Sequence, residues 1–226
     1  MRLQPQQRFE GSDTGPSPCV LLLVDWINPL DHEGAEGLVQ PALAAAKATA
    51  RLKSRLAAMG VQCIYANDNY GLWRSDFRDL VAGCRQRGGA SAAIADLLAP
   101  RSNDMAVVKP RHSAFYETPL QLLLQQLETR EIVLAGLSSQ WCVLFTAMDA
   151  YERGYSVWVP QDCIASESCD QHEAALRYMK DVLRLKVDAA EAGTARSGPP
   201  ASMRAASALG SLPAAYGTAP RGAAAR

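Results

Sequence analysis

Apolar and polar positions along this chain alternate between two periodicities. Residues 19–24 form an unbroken apolar run, as expected of a strand covered on both faces. Residues 41–59 place apolar side chains at helical spacing, with Pro41 suited to a first turn and Gly60 to a stop. A second strand is predicted over 61–66, and Ser75 is placed to cap a helix over about 76–84. Gly88 and Gly89 mark a loop before a short helix over about 91–98, and 105–108 read as a third strand. Thr118 caps a helix that opens at Pro119 and ends near Glu128. Residues 132–135 predict a fourth strand, followed by a helix that has Cys142 in its first turn, runs to about Arg153 and stops at Gly154. A fifth strand follows over 155–159. Asp170 and Glu173 have capping-box spacing for a last helix to about Leu183, and 184–187 predict a short sixth strand. Strands alternating with helices imply parallel β-α-β units and an α/β fold, a three-layer α-β-α arrangement.

The two ends depart from this pattern. Residues 1–17 are polar with scattered Gly and Pro and read as a flexible extension. From 189 to 226 the chain is almost entirely Ala, Gly, Ser, Pro and Arg. So few large apolar side chains cannot offset the entropy of ordering, so a disordered tail is expected and 18–188 are left as one domain. The chain carries 23 basic and 23 acidic residues; without the four arginines and one glutamate of the tail, the rest is at a formal −3. This balance gives no reason to expect a nucleic-acid partner. Apolar residues make up 48% of the chain, yet no run is long enough to span a bilayer. The opening residues lack the apolar core of a signal peptide. The six cysteines, at 19, 63, 84, 142, 163 and 169, form no C-x-x-C pair and no zinc-ligand spacing. Reduced thiols in a cytoplasmic protein, with no membrane partner, are the expectation.

In a parallel sheet covered on both faces, chemistry gathers at the carboxyl ends of the strands. That rule selects Asp25 after the first strand, Asn67 and Asp68 after the second, and Lys109 after the third. It selects Gly136 and the Cys142 turn after the fourth, and Gln161 and Asp162 after the fifth. A helix N-terminus presents free N–H groups and partial positive charge, so a thiol there should ionise more easily and act as a nucleophile. The same N–H groups can hold the oxyanion formed when a thiolate attacks a carbonyl. Each residue also has a structural alternative: Asp25 as a turn cap, Lys109 as a surface charge, Cys142 as a small buried hydrophobe. Taken together, the carboxylate can accept the thiol proton while the ammonium neutralises the developing charge.

The chain resembles the isochorismatase-like cysteine hydrolases over about residues 18–180. The matching pieces are Leu22-Leu23-Val24-Asp25, Val107-Val108-Lys109 with Ser113-Ala114-Phe115 behind it, and the run from Leu134 to Val143 followed by Thr146-Ala147-Met148-Asp149-Ala150. Gly154-Tyr155-Ser156-Val157, Asp162-Cys163-Ile164-Ala165, His172 and Ala174-Ala175-Leu176 continue in the same order. The resemblance implies a six-stranded parallel sheet of order 3-2-1-4-5-6 and an Asp-Lys-Cys triad. Asp25 would be the general base and acid, Lys109 the electrostatic partner and Cys142 the nucleophile. It also implies a cis peptide between Leu137 and Ser138, with the N–H groups of Ser138 and Cys142 as the oxyanion hole.

The departures from the family narrow the chemistry. Many members have Gln-Asn-Asp-Phe after the first Asp, where this chain has Trp26-Ile27-Asn28-Pro29-Leu30. Nicotinamidases of the family bind a metal through an Asp and closely spaced histidines after the second strand. Here the segment from Asn67 to Arg74 has no histidine, and one carboxylate among amides is a poor transition-metal site. No metal and no other cofactor is expected. The isochorismatases proper lack the cysteine, because acid-catalysed vinyl-ether hydrolysis needs no nucleophile, so Cys142 points instead to covalent acyl transfer. Ser138 and Ser139 do not form a Gly-x-Ser-x-Gly elbow. A non-catalytic binding or assembly relative is the other alternative, and retention of all three triad residue types favours the enzyme. The expected activity is cleavage of a C–N bond of a small amide, ureide or carbamoyl compound through a thioester, by a homo-oligomer of two or four copies. Trp26, Asn67, Trp73, Arg74, Tyr116 and Trp141 are the expected substrate-binding residues, and His112 is a candidate for the site entrance. His32 reads as a solvated loop residue and His172 as a capping or packing residue.

Overall fold

The computed structural model describes residues 15–74 and 76–190. The expected Ser75 cap, most of the expected N-terminal extension and nearly all of the expected tail lie outside the described residues. Six strands form one parallel sheet: β1 (Cys19–Val24), β2 (Gln62–Asp68), β3 (Met105–Lys109), β4 (Glu131–Leu137), β5 (Ser156–Trp158) and β6 (Ile164–Ala165). Their order is β3-β2-β1-β4-β5, with β6 also paired to β4. The helices are α1 (Ala35–Ala58), α2 (Phe77–Arg87), α3 (Gly89–Leu97), α4 (Leu120–Gln126), α5 (Leu144–Glu152) and α6 (Cys169–Arg177). Every residue of β1 is buried, and alternate side chains enter different cores, as the period of two requires. Leu21 and Leu23 pack with Leu38, Leu52, Leu80 and Ile94 of α1, α2 and α3. Val20, Leu22 and Val24 pack with Leu120, Leu124, Ala147 and Ala175 of α4, α5 and α6. The sheet is therefore covered on both faces, which accounts for its unbroken apolar strands.

The sixth strand is not at 184–187. Residues 164–165 take that role: β5 pairs with Glu131–Val133 of β4, and β6 pairs with Gly136 and Leu137 further along the same edge. A short 3₁₀ turn at Gln161–Cys163 makes the step between them. The 184–187 segment contributes only an isolated bridge, Lys186 to Trp158. Two apolar residues after a turn carry no readable period, which is why β6 is silent in the sequence.

Helix boundaries shift for local reasons. α1 starts at Ala35, so Pro41 lies inside it and leaves the Gly37 carbonyl without its usual N–H partner. Gly37 itself sits where a Cβ would come 2.7 Å from the backbone oxygen of Glu167, so the start of α1 presses on the β6–α6 connection. Asp76 caps α2 in a capping box with Asp79. The capping box expected of Asp170 and Glu173 does not form, because α6 begins at Cys169 and places Asp170 inside its first turn, with Ser168 at the cap. Thr118 does accept from the Leu120 N–H at 3.2 Å, as expected of a cap, although α4 ends earlier than predicted. Before α5 comes a π-helical turn, Ser139–Val143, and Cys142 belongs to this turn.

Candidate active site

The strand register delivers three side chains to one level of the sheet. Val24, the last residue of β1, pairs with Ala66 on one side and Gly136 on the other, and Asp68 pairs with Lys109. Asp25 follows directly with a left-handed backbone, φ 52°. Its Oδ1 accepts from the Asp68 N–H at 2.7 Å, and its Oδ2 lies 2.7 Å from Lys109 Nζ. The Lys109 ammonium also donates to the Arg111 carbonyl at 3.1 Å and to Cys142 Sγ at 3.5 Å, and lies 3.6 Å from Asp68 Oδ2. Lys109 is fully buried. A buried ammonium needs acceptors on every side, and these four groups supply them. His112 Nδ1 also approaches the Cys142 sulfur, to 3.6 Å.

The electrostatics overturn one expectation. Burial pushes the Asp25 carboxyl up, and Lys109 with the hydrogen bonds from Cys142 and Asp68 only partly restores it. Burial opposes the Lys109 ammonium, but Asp25, Cys142 and Asp68 outweigh it and raise the group further. The Cys142 thiol is pushed well up, first by burial and then by the Asp25 carboxylate, with Lys109 opposing. The helix-start argument predicts an easily ionised thiol; the tertiary surroundings of the π-turn reverse it. In these surroundings the Cys142 thiol is harder to ionise than in water. Such a thiol can become a nucleophile by passing its proton to Asp25 as it attacks.

The turn that carries Cys142 is braced by Glu167. The Leu137–Ser138 peptide is cis. Ser138 Oγ donates to Glu167 Oε1 at 2.7 Å, and Gln140 Nε2 donates to Glu167 Oε2 at 2.8 Å. His32 Nε2 lies 3.4 Å from the same carboxylate. Burial works against the Glu167 anion, but the hydrogen bonds from Ser138 and Gln140 win and hold its carboxyl below the usual range. Ser139 Oγ pairs with His172 Nδ1 at 2.8 Å. Glu167 escapes the sequence reading because it follows β6. Had that strand been legible, the carboxyl-end rule would have selected it.

A family model for the isochorismatase domain matches residues 19–191. The chain belongs to the isochorismatase family. The isochorismatase family protein YaaI of Bacillus subtilis is 39% identical over 171 residues, covering 76% of this chain and 93% of that protein. Maleamate amidohydrolase of Pseudomonas putida is 28% identical over 167 residues, covering 69% and 76%. Among solved structures, the pyrazinamidase/nicotinamidase of Streptococcus mutans superposes with a TM-score of 0.59 at 27% identity, covering 75% of this chain and 99% of that one.

Within this isochorismatase-family site the expected lining residues separate into two groups. Trp26 is fully buried in the core beneath α1, and the Asn67 amide is spent on Ile27, accepting its N–H at 3.1 Å and donating to its carbonyl at 2.7 Å. Asn67 thus ties the loop after β1, and both residues are buried rather than exposed to a ligand, a correction to the expected lining. Trp73, Arg74 and Tyr116 are exposed. Trp141 is half exposed and stacks on His112 with ring centres 5.3 Å apart, which brings it beside the thiol. A metal of the kind expected for nicotinamidases does not fit this donor set. Asp68 accepts from the Tyr70 N–H at 2.7 Å and faces the Lys109 ammonium, where a cation would compete with it. Among the described residues no group of three His, Cys, Asp or Glu side chains could hold a metal ion.

Proposed function

We propose that this protein is a cysteine hydrolase that cleaves the C–N bond of a small amide, ureide or carbamoyl compound through a thioester on Cys142. The observation that carries the reading is the buried bridge made by Lys109, 2.7 Å from Asp25 and 3.5 Å from the Cys142 sulfur. Asp25 takes the thiol proton as the sulfur attacks the carbonyl, then gives it to the departing amine. Lys109 stays charged and offsets the negative charge that passes between carboxylate and sulfur. The N–H groups of Ser138 and Cys142 are assigned to the oxyanion, and water resolves the thioester. That maleamate amidohydrolase and a nicotinamidase are relatives supports an amide as the bond cleaved. We expect the enzyme to work as a homo-oligomer in the cytoplasm; no helix among the described residues is long and apolar enough to cross a membrane.

The test is a screen of small amides, ureides and carbamoyl compounds for ammonia release, run with wild type and Cys142→Ala. Wild type should release ammonia from at least one compound, and intact-mass analysis should find an acyl adduct on Cys142. Equal turnover by the folded Cys142→Ala protein would end the proposal.

A further inference from the structure

We propose that His112 is a further catalytic residue of this site, activating the water that hydrolyses the thioester. The inference rests on the thioester reading above and adds a second base to it. Three observations carry it. First, His112 Nδ1 is 3.6 Å from Cys142 Sγ, in direct contact with the reacting atom. Second, the two bases differ in their access to solvent. Asp25 is buried, with Oδ1 accepting from the Asp68 N–H and Oδ2 bound to Lys109. His112 is exposed, so it stands where water reaches an acylated Cys142 from solvent. Third, the ring is held in place: its centre is 5.3 Å from that of Trp141 and 5.4 Å from that of Phe145. An imidazole stacked on one aromatic ring and tilted against another has lost much of the freedom of a surface histidine, and positioning is what a general base requires.

The step balances with water alone. The water oxygen bonds to the thioester carbonyl carbon while His112 takes one of its protons. The C–S bond then breaks, its electron pair returns to sulfur, and the imidazolium gives its proton to that sulfur. The products are the free carboxylic acid and the Cys142 thiol, and His112 ends as it began. Lys109, also in contact with the sulfur, and Asp25 keep their ion pair through this step.

The probe is p-nitrophenyl acetate with enzyme in excess, followed by rapid quench and intact-mass analysis. The acetyl adduct on Cys142 rises as acylation proceeds and decays as water hydrolyses it. His112→Phe keeps a ring for stacking and removes both nitrogens; His112→Gln keeps hydrogen bonding and removes the base. For both variants the rise should stay within about threefold of wild type while the decay slows about 100-fold, the lower end of what positioned general bases supply. The unchanged rise also certifies that the site is folded. Decay at the wild-type rate in either variant, or a rise slowed as much as the decay, would overturn the role of His112 alone. A wild-type protein that never acquires the adduct on Cys142 would overturn the thioester reading, and this proposal with it.

Discussion

Replacing Lys109 by Met removes the charge at the centre of the site while keeping an unbranched apolar stem. Its ammonium is fully buried and 2.7 Å from Asp25 Oδ2. At an effective dielectric of about 20, unit charges that close attract by about 6 kcal/mol before desolvation is counted. Removing one partner of a buried pair costs about 3–5 kcal/mol, because the remaining charge is left uncompensated. Here that charge is the Asp25 carboxylate, which burial already pushes up and which Lys109 pulls down. Without Lys109 it is raised further. A carboxyl raised on folding contributes its stability below its unfolded pKa and loses it as pH rises through the folded one. The deficit of Lys109→Met should therefore grow as pH rises above the ordinary carboxyl value of 3.8. Adding Asp25→Asn removes the orphaned charge. At about pH 7 the double variant should be more stable than the sum of the single losses predicts, by about 2 kcal/mol. Urea unfolding followed by circular dichroism measures all four proteins. Losses that add to within about 0.5 kcal/mol, or a deficit flat in pH, would refute the paired charges.

Three further outcomes follow from the same geometry. Asp25→Asn should slow acylation by about 10²–10⁴-fold, read as the rise of the acyl adduct, yet speed alkylation of Cys142 by iodoacetamide, because the carboxylate that raises the thiol is gone; alkylation slower than wild type would contradict that electrostatic assignment. Glu167 is lowered on folding, so its stabilisation is present above the ordinary carboxyl value of 4.5 and lost as pH falls below it; Glu167→Gln should flatten the acid side of a melting-temperature profile, and an unchanged profile would remove Glu167 as a brace. Dialysis against a strong chelator should leave turnover intact, whereas a loss that zinc or manganese restores would show that the segment after β2 has been misread.

The local signals in this chain were strong where a single element decides the outcome. The first five strands came out within about two residues, since apolar runs report burial on both faces, whereas the sixth was placed at 184–187 instead of 164–165. The carboxyl-end rule placed Asp25, Lys109 and Cys142 at one edge of the sheet, where the geometry brings them together. What stayed hidden depends on distant packing. The Cys142 thiol was misjudged because its place in a turn is local, while the burial and the Asp25 carboxylate that raise it are not. Trp26 and Asn67 resemble pocket residues in sequence, and only the fold turns the first inward and spends the second on Ile27. The contact between His112 and the sulfur needs the chain to double back after Lys109, which no periodicity announces.

Gly136 has a mechanical consequence. Any side chain there would collide with Val24 of β1, so the strand of the nucleophile and the strand of the base are held together where no Cβ fits between them. Asp25 leaves that clamp on one side and the Ser138 turn on the other. Lys109 arrives differently, from β3, with β2 in between and four methylenes to span the distance. The site thus behaves as a stiff jaw with one compliant arm. Changes in sheet twist are taken up along the lysine stem, while the separation of carboxylate and sulfur is held by the jaw. A redesign that reshapes the surrounding loops inherits its alignment from the clamp, and one that fills Gly136 gives it up.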